Sequence, residues 1–236
     1  MAAVFLEAQW RKLAIANYAV DPVILESFLP HNTELDHWNN TYYVSLVGFM
    51  FLDTRVKGIR IPFHINFEEV NLRFYVRRRD GGDWKRGVVF VREIVSKPAL
   101  TFVANTVYQE NYCTMPMRHS WLYHNDYQRV EYRWKKLRWN SFSVTTGKLA
   151  TPIMEGSEEE FITEHYWGYT RIDTVHSAEY GVEHPRWDVY PVIDYSIDVD
   201  FGSVYGDRFG FLQQAVPKSV FLAEGSVIKV MHGKRF

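Results

Sequence analysis

Alternating apolar and polar positions predict β-strands over most of the chain. The run Asp80-Gly81-Gly82-Asp83 separates two such stretches and has the composition of a hairpin turn. A second hairpin is predicted around Asn39-Asn40, because asparagine tolerates a positive φ. We therefore predict one sheet that contains strands near residues 41–51, 65–78 and 85–95.

Helix signals are few and short. Asp21-Pro22 supplies an N-cap and a first-turn proline for a helix that ends near Leu29. Ser157 and Glu160 form a capping box, which predicts a helix from Glu158 to about Tyr166. A third helix is predicted where apolar residues recur at intervals of three and four, at Leu100, Val103, Ala104 and Val107. Many strands with brief helices predict a mainly β fold, an antiparallel β-barrel or cone with a few short peripheral helices. Since no linker divides the sequence, we predict a single domain over residues 1–236.

Composition narrows the function classes. Hydrophobic residues make up 47% and charged residues 23% of the 236 positions, which is typical of a globular protein. Aromatic residues reach 17%, which favours strands and cavity walls. The net charge of −1 argues against nucleic acid as a partner. No secretory signal or membrane-spanning run is evident, so we expect no membrane partner and a cytoplasmic location.

A search for catalytic and ligand-binding motifs finds no Gly-x-Gly-x-x-Gly, P-loop, His-Glu-x-x-His, paired cysteine or Gly-x-Ser-x-Gly pattern. Glu160, Glu164 and His165 lie on or beside one predicted helix, but a solvated acidic helix with an inward histidine explains them as well. We predict no metal and no cofactor, and the roles of His165, His176 and His184 stay open. The one cysteine, Cys113, is predicted to be a buried small residue rather than a nucleophile.

The strand from Phe67 to Arg77 carries the most informative pattern. Alternation places four apolar residues on one face and places Glu69, Asn71, Arg73, Tyr75 and Arg77 on the other. If the polar face meets bulk solvent, it is an ordinary charged strand. If it lines a cavity, Arg73 can bind a carboxylate and Glu69 can act as a general acid or base.

Several segments resemble a known family in the same order along the chain. They are NYAVDPVILESFLP, YYVSLVGFMF, FEEVNLRFYV, EHYWGYT, HPRWDVYPV and PKSVFLAEGS. They resemble the uncharacterised YqjF-like family, a domain-of-unknown-function group placed beside acetoacetate decarboxylase. The resemblance implies an acetoacetate decarboxylase-like β-cone with a small-molecule ligand in its central cavity, often in a homo-oligomer.

The more distant resemblance to acetoacetate decarboxylase itself implies positions for a site. In that register Arg11 and Glu69 fall where the decarboxylase has an active-site arginine and glutamate. The position of the Schiff-base lysine matches the stretch Glu110 to Cys113, and no lysine occurs between Lys97 and Lys135. Because only an amine can form the imine, decarboxylation by that route is not predicted.

Three hypotheses of function remain open. The first is an enzyme that acts on a small carboxylate or carbonyl compound, with Glu69 and Arg11 as catalytic residues and with Asn71, Arg73, Tyr108 and Tyr112 as substrate contacts. The second is a non-catalytic protein that binds a small molecule through aromatic walls. The third is a structural or regulatory component of an oligomer.

Overall fold

The computed structural model describes residues 3–107 and 110–236. Tyr108, predicted above as a ligand contact, lies outside these residues. Twelve of the described strands form one sheet. Its strands are β1 (Val4–Ala19), β2 (Glu34–Leu35), β3 (Tyr43–Val56), β4 (Phe67–Asp80), β5 (Asp83–Val95), β6 (Tyr112–Thr114), β10 (Thr151–Pro152), β11 (Trp167–Arg171), β12 (Ser177–Glu183), β13 (Asp188–Tyr190), β15 (Ser219–Met231) and β16 (Lys234–Arg235).

This sheet returns on itself. Its main path runs β15-β1-β3-β4-β5-β11-β12, and β12 pairs again with β15. Most neighbours are antiparallel, whereas β5 pairs in parallel with β11 and with β6. The predicted strands near 41–51, 65–78 and 85–95 are the neighbours β3, β4 and β5, so the mainly β prediction is confirmed.

A second sheet packs on the outside of the first. Its four strands have the order β14-β9-β8-β7 and comprise β7 (Met117–Tyr123), β8 (Tyr127–Lys135), β9 (Trp139–Gly147) and β14 (Val192–Asp198). Buried side chains of β8 and β9, such as Tyr132 and Phe142, pack with Leu46, Leu72 and Phe74 of the large sheet in one hydrophobic core. The inner face of the large sheet forms a different core with Phe49, Phe67 and Val95.

The helices are short, and their caps follow the sequence signals. They are α1 (Pro22–Glu26), α2 (Pro98–Val107), α3 (Glu158–Thr163), α4 (Phe201–Tyr205) and a 3-10 helix at Asp207–Gln213. Asp21 accepts a hydrogen bond from the Val23 amide, and Ser157 accepts one from the Glu160 amide. Asp200 caps α4 in the same way, by accepting a hydrogen bond from the Ser203 amide. No helix among the described residues is long and apolar enough to cross a membrane.

Candidate functional site

A cavity of about 440 Å³ lies against the inner face of the large sheet. Most of its wall is apolar and aromatic, including Trp10, Phe49, Phe67, Phe90, Trp167 and Trp187. Residues of α2 and the residue pair Thr163 and His165 at the end of α3 complete the lining. Such a wall can accommodate the apolar body of a small molecule.

The polar face of β4 lines this cavity. Glu69, Asn71 and Arg73 all belong to its wall and are 2%, 1% and 8% exposed. The alternate positions Val70 and Leu72 face the core between the two sheets. Of the two interpretations of this strand, the structure therefore supports a cavity lining rather than a solvated surface at these three positions.

Strand register brings residues from β5 and β6 to the same place. Asn71 on β4 pairs with Glu93 on β5, and Glu93 pairs in turn with Tyr112 on β6. Paired residues share a face of the sheet, so their side chains converge on the cavity. Glu69 accepts a hydrogen bond from Asn71 Nδ2 at 2.9 Å and one from the Tyr112 hydroxyl at 3.3 Å.

Two further residues join this polar end from other parts of the chain. Glu110, which precedes β6, and Tyr180 of β12 both line the cavity. Tyr180 crosses the neighbouring strand at Gly168, where a Cβ atom would lie 2.2 Å from the tyrosine ring. Glycine at position 168 is therefore what allows the Tyr180 ring to lie there. We refer to Glu69, Glu93 and Glu110 as the carboxyl cluster.

Burial raises the pKa of each member of the carboxyl cluster. For Glu69 the pKa is raised from 4.5 to about 7, although hydrogen bonds from Asn71 and Tyr112 and the charge of Arg73 oppose the shift. Burial also raises the pKa of Glu110 to about 7 and that of Glu93 well above its usual value. The cluster therefore holds protons near neutral pH, when exposed glutamates are ionised.

Arg73 is the guanidinium of this site and is not tied to a carboxylate. No ion pair of 4.0 Å or less joins it to a carboxylate in the described parts of the chain, and its Nε atom is buried without a hydrogen-bond partner. Its Cζ atom lies 5.8 Å from the ring centroid of Tyr75. The guanidinium is thus available to bind an anionic or carbonyl oxygen.

Other residues of the cavity wall also have buried polar atoms without a hydrogen-bond partner. Asn71 Oδ1, Glu93 Oε2 and His165 Nδ1 are buried without a partner among the residues described. Buried polar atoms are almost always paired in folded proteins. Six such atoms belong to residues of one cavity wall, since Arg73 Nε, Trp10 Nε1 and Thr54 Oγ1 are also unpartnered. Their number indicates a place where a polar ligand completes the hydrogen bonding.

Arg11 lies elsewhere. Its guanidinium contacts Gln9, the Gly225 carbonyl and Glu224, and it is absent from the cavity wall. On β1 the pleat places Arg11 on the face opposite Trp10, which does line the cavity. A register shift in the β1–β3 pairing follows, with Lys12 at φ 54°, before Leu13 returns to the inner core. The predicted catalytic pair of Arg11 and Glu69 is therefore not brought together.

The remaining candidates fall in three places. Cys113 is half-buried against the core between the sheets. His176 is on the surface beside Asp173, whereas His165 and His184 line the cavity. Although three glutamates share the cavity, no group of three or more metal-ligating side chains is arranged to hold a metal ion in residues 3–107 and 110–236.

Sequence reasoning did not select Glu93, Glu110 or Tyr180. A signal existed for Glu93, a lone carboxylate within the apolar run from Gly87 to Val95. No comparable signal marked Glu110 and Tyr180, because only the folded sheet places them beside β4.

Comparison with family models assigns the chain to a protein family. The family model of DUF2071, described as "Uncharacterized conserved protein", matches residues 7–227. The chain belongs to the DUF2071 family. The uncharacterized protein YqjF of Bacillus subtilis (strain 168) is 35% identical to this chain over 68 residues. That match spans 28% of this chain and 28% of YqjF.

Solved structures show how the DUF2071 chain folds. Acetoacetate decarboxylase from Legionella pneumophila is 12% identical with a TM-score of 0.66, and the match covers 99% of this chain and 88% of the decarboxylase. The enduracididine biosynthesis enzyme MppR complexed with pyruvate is 13% identical with a TM-score of 0.68, covering 100% and 91%. An acetoacetate decarboxylase-like enzyme from Sphingomonas wittichii RW1 is 8% identical with a TM-score of 0.66, covering 99% and 93%. The fold is therefore acetoacetate decarboxylase-like.

Proposed function

We propose that this protein is an enzyme that performs acid–base chemistry on a small carbonyl or carboxylate compound. The observation that carries the proposal is Glu69, a fully enclosed carboxyl group in a cavity that also holds an unpaired guanidinium. A general acid or base works best when its pKa is near the working pH, and the pKa of Glu69 is raised to about 7.

Arg73 has the role of binding the substrate oxygen. Its guanidinium lies near enough to Glu69 to lower the pKa of that group, yet it forms no ion pair that a ligand must first break. The Tyr112 hydroxyl donates to Glu69 at 3.3 Å and holds that carboxyl group in position beside the cavity. Donors already in place stabilise negative charge that develops on a carbonyl oxygen.

These roles combine into a proton transfer. Ionised Glu69 removes a proton from the carbon next to the substrate carbonyl, and the electron pair moves onto the oxygen held by Arg73. The protonated form of Glu69 then returns the proton to the same carbon or to another. Because burial raises the pKa of Glu93 well above its usual value, Glu93 retains its proton and adds no negative charge beside the enolate that forms.

The structural relatives support a carbonyl compound as the ligand class. One of them, MppR, has been solved with pyruvate. No lysine is among the described residues that line the cavity here. We therefore propose proton transfer rather than imine formation, and expect that borohydride reduction with acetoacetate leaves the protein mass unchanged. A reduced adduct on a lysine would contradict this mechanism.

Exchange of carbon-bound hydrogen tests the proposal without knowledge of the product. Pyruvate, 2-oxobutyrate and phenylpyruvate are incubated with the protein in D2O, and loss of the C3 proton signals is followed by NMR. We expect the wild type to accelerate exchange of at least one compound, and Glu69→Gln to lower that rate about 100-fold or more. If no compound exchanges faster with protein than without it, the proposed chemistry is wrong.

Glu68 provides the matched control for Glu69. It is the preceding residue of β4, is absent from the cavity wall, and contacts His119 and Ser96 instead. Glu68→Gln should exchange as fast as the wild type. Equal losses in Glu68→Gln and Glu69→Gln would point to damage to the strand and not to a role for the Glu69 carboxyl group.

A non-catalytic binding protein is the second candidate. It is favoured by the aromatic and aliphatic walls that make up most of the cavity. In the same experiment, this alternative is expected to give saturable binding of phenylpyruvate, measured by calorimetry, without acceleration of exchange.

A further inference from the structure

A second buried polar pair borders the cavity, away from the carboxyl cluster. His165 follows α3, lines the cavity, and has a side chain that is 1% exposed. Its Nε2 atom lies 3.3 Å from Asp36 Oδ2, and Asp36 also accepts a hydrogen bond of 2.7 Å from Arg86 Nε. This arrangement needs an explanation, because the acid–base mechanism above does not use it.

Burial and Asp36 together fix which ring nitrogen of His165 carries a proton. Hydrogen bonds from His165 and Arg86 outweigh burial and lower the pKa of Asp36 to about 2, so Asp36 is an acceptor. Burial lowers the pKa of His165 to about 4, although its hydrogen bond with Asp36 opposes the shift. The imidazole is therefore neutral, with its one proton on Nε2 and a free lone pair on Nδ1.

The free lone pair of His165 Nδ1 receives no hydrogen bond from residues 3–107 and 110–236. Nδ1 is buried and unpartnered in the described structure. The imidazole ring contacts the aromatic rings of Tyr75 and Phe161, at centroid distances of 4.8 Å and 5.0 Å. The Tyr75 hydroxyl is paired with Ser45, and phenylalanine has no hydrogen-bond donor. His165 belongs to the cavity wall, so a ligand in the cavity lies next to this ring.

Arg73 and His165 flank the same tyrosine. The guanidinium carbon of Arg73 is 5.8 Å from the Tyr75 ring centroid, and the His165 ring is 4.8 Å from it. The cavity thus presents an obligate donor and an obligate acceptor that both lie near one aromatic ring. We propose that the ligand is bifunctional: its carboxylate or carbonyl oxygen binds Arg73, and a hydroxyl or N–H group elsewhere on it donates to His165 Nδ1.

This inference rests on the proposed function only for the cavity as a ligand site and for Arg73 as its anion contact. It adds the chemical class of the ligand, a carbonyl or carboxylate compound that carries a separate hydrogen-bond donor. A site with a buried unpartnered acceptor discriminates against the analogue that lacks the donor, because that acceptor then stays unpaired.

Matched ligands test the contact. The probes are 3-phenylpropanoate and its three ring-hydroxylated isomers, which place a hydroxyl at three distances from one carboxylate. By calorimetry we expect at least one hydroxylated isomer to bind the wild type about tenfold more tightly than the parent, the effect of one net hydrogen bond. His165→Leu should remove this preference, so that the hydroxylated isomers bind that variant no more tightly than the parent does. His165→Asn, which retains an acceptor near the position of Nδ1, should keep part of it.

The outcomes separate the two proposals. If the parent binds but no hydroxylated isomer gains affinity, or if the gain persists in His165→Leu, the His165 contact is wrong and the cavity proposal stands. If none of the four probes binds, the cavity proposal fails and the His165 contact fails with it.

Nitrogen NMR of histidine-labelled wild-type protein gives a readout that needs neither ligand nor substitution. At pH 7 we expect His165 to show a protonated Nε2 and a bare Nδ1. An imidazolium, or the opposite tautomer, would leave no acceptor for the ligand and would overturn the inference.

Discussion

Two polar clusters, one largely and one fully buried, lie on opposite faces of the large sheet and differ in how completely their atoms are hydrogen-bonded. On the outer face, Lys12 Nζ contacts Glu224 at 2.6 Å, Gln128 at 3.0 Å and the Tyr190 hydroxyl at 3.2 Å. We call these four residues the closed cluster. On the inner face, the carboxyl cluster and Arg73 leave several buried polar atoms without partners among the described residues.

The difference lies in charge balance as well as in hydrogen bonding. In the closed cluster one amine faces one carboxylate, and Gln128 uses its remaining amide on the Gly147 carbonyl. The inner cluster has three carboxyl groups near one guanidinium, and burial raises the pKa of all three. A network in which every polar atom is paired stabilises the fold. A network with unpaired donors and acceptors can form further hydrogen bonds with a bound molecule.

The largest stability effect is expected in the closed cluster. Lys12→Met removes the cation and leaves Glu224 and Gln128 without their common donor, so we expect a loss of about 3 kcal/mol in the free energy of unfolding. Urea denaturation measures this value. The control is Lys218→Met, which alters an exposed lysine and should change stability by less than about 0.5 kcal/mol. A loss as small as that of the control would show that the closed cluster does not stabilise the fold.

The carboxyl cluster is expected to destabilise the fold as the pH rises. A solvated glutamate has a pKa of 4.5, whereas that of Glu69 in the folded protein is about 7, so the folded state binds more protons between these values. Stability from this group is fully present below about pH 4.5 and is lost as the pH approaches 7 and passes it. Relative to the wild type, Glu69→Gln should therefore gain about 3 kcal/mol between pH 4.5 and pH 8.

Denaturation of both proteins across this pH range gives the comparison directly. Glu68→Gln is again the control. In the wild type, hydrogen bonds from His119 and Ser96 outweigh burial and lower the pKa of the Glu68 carboxyl group. Replacing Glu68 should therefore produce no gain in stability as the pH rises. A Glu69→Gln curve parallel to that of the wild type would mean that Glu69 titrates as an exposed glutamate does.

A smaller effect is expected for Arg73. Arg73 is buried, with 8% of its surface exposed. A buried guanidinium is usually paired, but no carboxylate among the described residues lies within 4.0 Å of Arg73. Arg73→Met at pH 5, where the carboxyl cluster is protonated, should therefore cost less than about 1 kcal/mol. A loss as large as that of Lys12→Met would show that Arg73 belongs to a tight ion pair and is not reserved for a ligand.

The smallest effect is expected at the edge of the closed cluster. Arg11 Nη1 lies 3.7 Å from Glu224 Oε1, and both side chains are about one-third exposed. Arg11→Met should cost about 0.5 kcal/mol at low salt and less at high salt, because solvent and ions screen such a pair. A cost that is large and independent of salt would place Arg11 in a buried network.

Local patterns in the sequence determined the strands, the turns and the helix starts. The Asp80 to Asp83 turn, the Ser157 cap and the alternation of β4 all depend on neighbouring residues, and each is found in the structure. The same alternation placed Glu69, Asn71 and Arg73 on one face, because side chains along a strand point to opposite sides in turn.

The tertiary structure decided which face encloses a cavity and which residues from elsewhere reach it. Glu93, Glu110, Tyr180 and the Asp36–His165 pair come from segments far apart in sequence, and sheet register and closure bring them together. It also separated Arg11 from Glu69, since the pleat of β1 turns Arg11 to the outer face. Period-two patterning specifies that a strand has two different faces, whereas the partner that covers each face depends on the whole sheet.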